Sequence, residues 1–152
     1  MSGILDLVQN HRARQFDAGE IVIEQGQCCG VILVLIEGEV EVLRDRVPVA
    51  KASQPGVIFG EMSVLLGVPH TATVRALAPC SFAIIENPRE FLLNSAQASL
   101  YLAELLASRL DALNKYLVDV KRQYEGHDHI GMVDEVLETL MHRPQGHGAR
   151  QS

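Results

Sequence analysis

Apolar residues come in short runs and two-residue alternations through the first half of the chain, and after Asn87 they recur with helical spacing. Ile4, Leu5, Leu7 and Val8 share one face of a short N-terminal helix over residues 3–10. Residues 20–24 then alternate, with Ile21 and Ile23 on one side, and Gln25-Gly26 ends the run. Residues 31–36 are continuously apolar and rich in β-branched side chains, which suits a strand covered on both faces. After the Glu37-Gly38 turn signal, residues 39–43 alternate again with Val40 and Val42 inward. Further short strands are expected at 47–52, 57–59, 73–78 and 81–85. Many short strands punctuated by Gly, Pro, Asp and Asn predict an antiparallel sandwich or roll.

Asn87-Pro88-Arg89-Glu90 combines a capping residue, proline at the first helical position and a glutamate three residues after the cap. A helix carrying Phe91, Leu92 and Leu93 follows, and Ser95 is placed to cap a much longer one over residues 96–125, closed by Gly126. At 1.5 Å per residue that helix is roughly 45 Å long. Leu100, Leu102 and Leu105 are expected to face the chain's own β region. Leu106, Leu110, Leu113, Leu117, Val120 and Tyr124 follow at alternating spacings of four and three, an a/d seam that predicts parallel homodimerisation. Beyond it lie a loop at 127–131, an amphipathic helix at 132–142 and, after Pro144, a polar tail. The organisation expected is therefore a β-roll with its long helix over 1–125, a short helical piece over 126–143 and a disordered tail over 144–152.

Composition narrows the classes of function. The net charge is −6, and no cluster of lysine and arginine marks a nucleic-acid face, so direct DNA binding is not expected. No apolar run is long enough to span a bilayer and no secretory signal opens the chain, which points to the cytoplasm. Cys28, Cys29 and Cys80 are an odd number with an adjacent pair, which makes neither a disulfide framework nor a four-thiolate metal site. No cofactor is expected, and no nucleophile–base pattern or phosphate-binding P-loop motif suggests an enzyme.

The stretch 56–76 holds the candidate chemistry: strand, Gly60, one or two helical turns, a Gly/Pro loop and another strand. A helix start presents unpaired N–H groups and a positive dipole end, and Gly60 has no side-chain oxygen to satisfy them. Around it stand Phe16-x-x-Gly19-Glu20-x-Val22, Glu24-x-Gly26, Ile36-x-Gly38-x-Val40-x-Val42, Phe59-Gly60-Glu61 and Val68-Pro69-x-Thr71-Ala72-Thr73-Val74. On these motifs the chain resembles the cyclic-nucleotide-binding domain shared by the catabolite activator protein family, protein kinase A regulatory subunits and cyclic-nucleotide-gated channels. The resemblance runs from about Phe16 to Tyr124.

That resemblance implies an α+β, mainly β, architecture: an antiparallel β-roll or jelly roll with an N-terminal helix, a short phosphate-cassette helix and a long C-terminal helix. It implies cyclic AMP or cyclic GMP as ligand of the cassette at 56–71, with the signal passed through the long helix. The ligand-binding set it implies is Phe59, Gly60, Glu61, Met62, Ser63, His70, Thr71, Ala72 and Asn114. Gly60 and the N–H groups after it would face the cyclic phosphate, and Glu61 would accept from the ribose 2′-hydroxyl. Thr71 would donate to the phosphate, and Asn114 would reach the base from the long helix.

His70 stands where the family carries its phosphate-binding arginine. Arginine is a permanent planar cation with two parallel donors, whereas histidine offers one aimed N–H and is largely neutral near neutral pH. Binding would then be weakened, or made dependent on pH. Arg75 is the nearest substitute, against the ordinary reading of a strand arginine as a surface or ion-paired residue. The DNA-binding module that follows the long helix in transcription factors of this family is also not recognisable in residues 126–152, so a stand-alone domain and a piece of a longer protein both stay open. Two other readings remain: a dimerisation and interaction module that binds no nucleotide, and a cupin-like metalloenzyme using His127, His129, His142 and His147.

Overall fold

The computed structural model describes residues 3–28, 30–124, 135–136 and 138–141. Two compact units divide at Tyr101 and Leu102. The first is built on eight strands: β1 (Arg12–Phe16), β2 (Ile21–Ile23), β3 (Ile32–Glu37), β4 (Val40–Arg44), β5 (Val47–Ala52), β6 (Ile58–Phe59), β7 (Thr73–Ala76) and β8 (Cys80–Ile85). They form two four-stranded antiparallel sheets, in the orders β1-β8-β3-β6 and β2-β7-β4-β5.

Between the sheets lies one apolar core, in which Phe16, Leu33, Leu35, Phe59, Phe82 and Ile84 from one sheet meet Ile23, Val40, Val74 and Ala76 from the other. Phe82 sits at its centre, with Phe16 and Phe59 edge-on at 5.6 and 6.1 Å between ring centroids. Alternation puts Ile32, Val34, Ala83 and Ile85 on the opposite face of the first sheet, where they are also buried. That is why the run at 31–36 shows no polar position.

Four helices complete the fold: α1 (Ile4–Leu7), α2 (Glu61–Leu66), α3 (Pro88–Asn94) and α4 (Ala96–Gln123). The N-terminal helix is a single turn rather than the expected 3–10; Ile4 and Val8, one turn apart, are buried, and the chain then turns with His11 N–H donating to the Val8 carbonyl. Pro88 opens α3 as expected, but Asn87 caps it through its carbonyl, which accepts from Phe91 N–H at 2.9 Å, and not through its side chain. Proline's lack of an N–H leaves one donor fewer to satisfy there. Ser95 does cap α4, its Oγ accepting from Ala98 N–H at 3.1 Å. Leu100 is exposed, contrary to expectation; Ala98 is buried, because positions 98 and 102 share a helix face that position 100 does not.

β1 is the strand the sequence pattern does not announce. Residues 12–15 are exposed and mixed in polarity, and only Phe16 enters the core. It forms by pairing along β8, from Arg12 opposite Ile84 to Phe16 opposite Cys80. Among the described residues no helix is long and apolar enough to cross a membrane. Glu125, Gly126, His127, His129, His142, His147 and the 144–152 tail lie outside the described residues.

Candidate functional site

The site grows from the junction of β6 and α2. β6 pairs with β3, Phe59 opposite Leu33, and delivers the chain to Gly60. Gly60 has φ 88°, in the left-handed region that favours glycine. A side chain there would also collide: a Cβ would lie 2.8 Å from the Val31 carbonyl oxygen. So the glycine is fixed by a close backbone approach as well as by its dihedral angle. α2 starts directly after it and closes at Gly67, whose N–H donates to Ser63 O at 3.0 Å.

His70 meets this junction from the far end of the cassette. The same Cβ position lies 3.6 Å from His70 Cε1, so the imidazole edge rests against Gly60. The residue is only 5% exposed, and its Nε2 is buried without a hydrogen-bond partner. Burial lowers its pKa from the ordinary histidine value, because a charged ring loses hydration there. The backbone of His70 is held on both sides by the β2–β3 loop: His70 N–H donates to Gln27 O at 3.0 Å, and Gly26 N–H donates to His70 O at 2.9 Å. Gln25 extends this clamp, its N–H donating to Thr73 Oγ1 and its side chain pairing with the Asp45 side chain and N–H.

The structure brings His70 beside Gly60, and Glu61 follows directly on Gly60 as a buried carboxylate, 5% exposed. Phe59 is buried in the core beneath, stacked edge-on against Phe82. Ser63 is buried and its hydroxyl donates to Val68 O at 2.6 Å, so it ties α2 to the following loop. Met62 is exposed, while Thr71 and Ala72 are half-buried beside His70 in the chain. Asn114 belongs to the second unit, on α4, and its Oδ1 is buried without a partner.

Arg75 does not replace the missing arginine at Gly60. Val74 and Ala76 on either side of it are buried in the core, so Arg75 points out of the roll. There it is ion-paired with Glu41, which stands opposite it across β4 and β7. What sequence reading missed is the clamp on His70, since its partners lie more than forty positions earlier in the chain. Glu24-x-Gly26 was its one visible trace.

Comparison with known proteins agrees with this architecture. A family model described as "Cyclic nucleotide-binding domain" matches residues 13–93, just over half the chain. Over 74 residues the chain is 35% identical to a cAMP-dependent protein kinase regulatory subunit of Yarrowia lipolytica, covering 49% of this chain and 20% of that protein. It is 41% identical over 63 residues to an uncharacterised ABC transporter ATP-binding protein of Mycobacterium tuberculosis, covering 39% of this chain and 19% of that one. The chain thus spans about one fifth of the length of these curated relatives. The crystal structure of the Thermus thermophilus catabolite activator protein aligns with a TM-score of 0.64 at 21% identity, over 90% of this chain and 81% of that one, a likeness of fold.

Proposed function

The chain belongs to the cyclic nucleotide-binding domain family, and on that premise we propose that residues 56–71 bind cyclic AMP or cyclic GMP as a regulatory ligand. The observation that carries this reading is the buried, unpartnered Nε2 of His70, on a ring whose neighbouring Cε1 faces the side-chain-free position of Gly60. A buried ring nitrogen without a partner is costly, and a phosphate oxygen arriving beside Gly60 satisfies it. The N–H groups that open α2 add donors to the same anion, and Glu61 is the acceptor for a ribose hydroxyl. Thr71 and Ala72 line the approach, and Met62 and Ser63 contribute their backbone. Binding acts by favouring one arrangement of α4 over another, which is the sense in which the domain transmits a signal.

Titration calorimetry with cyclic AMP and cyclic GMP at about pH 6 tests this, with three folded proteins compared. Wild type is expected to release or absorb heat with at least one nucleotide. His70→Arg, which restores a second charge-assisted donor, is expected to bind about 10- to 150-fold more tightly. Arg75→Ala is expected to bind as wild type does, because its side chain faces away. A second reading, an interaction module of the same fold with no nucleotide, draws on one observation: residues 56–71 contain neither arginine nor lysine. Silence from both wild type and His70→Arg would favour it.

A further inference from the structure

His70 is buried among neighbouring elements that leave its Nε2 without a hydrogen-bond partner. The β2–β3 loop meets its backbone with the Gly26 N–H and the Gln27 carbonyl, and among the described residues its titratable ones, Glu24 and Cys28, are exposed. Val31, just before β3, contributes its carbonyl beside Gly60, and β2 contributes the apolar Ile23, whose Cδ1 lies 3.8 Å from a Cβ placed on Gly60. α2 brings Glu61, buried next to Gly60 in the chain. On β7 the cation Arg75 is turned to the outer face and paired with Glu41.

Resting on the nucleotide-binding reading, we propose that His70 is the phosphate receptor of this cassette and serves as an imidazolium formed on binding, so that each nucleotide bound takes up a proton. The ligand class is a cyclic phosphodiester, a monoanion throughout the relevant pH range. Before binding, the enclosed ring is held neutral by the loss of hydration that burial imposes. An anion placed against Nε2 reverses the balance, since an opposite charge at hydrogen-bond distance favours the protonated ring. The proton comes from solvent and resides on the imidazole; no covalent bond is made or broken. A family arginine carries its charge permanently and binds without this uptake. The substitution therefore converts a pH-independent receptor into one whose affinity rises as pH falls.

The sign follows from the two protonation states. The free ring titrates below its ordinary value and an anion at Nε2 raises it from there, so affinity increases with acidity between the free and bound values and levels off outside them. One linked proton gives at most about a tenfold change in affinity per pH unit.

The test is titration of wild type with cyclic AMP and with cyclic GMP at about pH 7.5, in buffers of different ionisation enthalpy, repeated at about pH 6 and pH 8. Expected is an observed heat that varies with buffer ionisation enthalpy in the sense of proton uptake, by at most one proton per nucleotide, and tighter binding at the lower pH. His70→Gln is expected to bind more weakly with no uptake, and His70→Arg to bind with no uptake and a flat pH dependence. Binding by wild type whose heat is independent of buffer overturns the proton-uptake inference and leaves nucleotide binding standing. Uptake that persists unchanged in His70→Gln assigns the proton elsewhere and also overturns it. Absence of binding by folded wild type and His70→Arg at every pH removes the nucleotide reading and this inference with it.

Discussion

At the scale of single residues, the cassette is shaped by what two positions lack. Gly60 lacks a side chain because the Val31 carbonyl occupies the space, and His70 lacks a partner for Nε2. The second has a consequence for stability that needs no ligand. Because burial lowers the folded pKa of His70 below its unfolded value, the unfolded chain binds more protons as acid is added. The stability associated with the neutral ring is fully present above the unfolded pKa and is lost as pH falls through it toward the folded value. Urea unfolding at about pH 7.5 and pH 5.5 is expected to show a smaller loss of stability in His70→Gln than in wild type. Equal losses would mean that the imidazole is not buried in solution as described. The histidine itself was plain in the sequence as a departure from a motif, but its burial was not. Nothing local at residues 68–72 distinguishes an enclosed ring from a solvated loop residue.

At the scale of elements, the strand pattern and its punctuation were read correctly wherever one face was buried. The 31–36 run became a strand covered on both sides, and the alternation at β4 sets Val40 in the core with Val42 packed against it. At β2 only Ile23 enters the core; Ile21, expected on the same face, is exposed, because the pairing with β7 shifts register between the two. The β3–β4 hairpin illustrates how tightly such punctuation is fixed. Gly38 has φ 115°, and a Cβ there would lie 2.6 Å from Cys80 Sγ and 2.7 Å from both Cys80 Cα and the Pro79 carbonyl oxygen. Gly38→Ala therefore combines a strained dihedral angle with contact against the backbone of the neighbouring strand, a loss of about 2–4 kcal/mol. Denaturant unfolding is the measurement, and a change within about half a kcal/mol would contradict the packing described. Two elements were read less well. α1 shrank to one turn, and β1 was missed because its residues 12–15 are exposed and carry no alternation. Its strand conformation comes from pairing with β8, an interaction between residues nearly seventy positions apart.

At the scale of the whole molecule, the open matter is association. Leu110 and Leu113 on α4 are 40% and 45% exposed, and Tyr124 is exposed as well, although the seam they belong to is regular. Leu106, Leu117 and Val120 are half-buried. An apolar stripe with charged flanks suits a second copy of the same helix. We expect wild type to have a dimeric mass by light scattering, and Leu110→Asp combined with Leu113→Asp to have a monomeric one with helical content kept. A monomer in wild type at micromolar concentration would contradict the seam.

What the sequence determined by itself was whatever depends on short spacing: the strand and helix periods, the glycine turns, the Ser95 cap and the motif that marks 56–71. Those signals come from neighbours within a few residues, whose sterics and hydrogen bonds act on the spot. Tertiary structure alone decided which way Arg75 points, that Glu41 holds it, and that a loop from residues 25–27 clamps His70 against Gly60. These are contacts between distant positions, and burial, charge state and hydrogen-bond satisfaction are properties of such contacts. The cassette was legible as a motif; the condition of its histidine became so only once the sheets had closed around it.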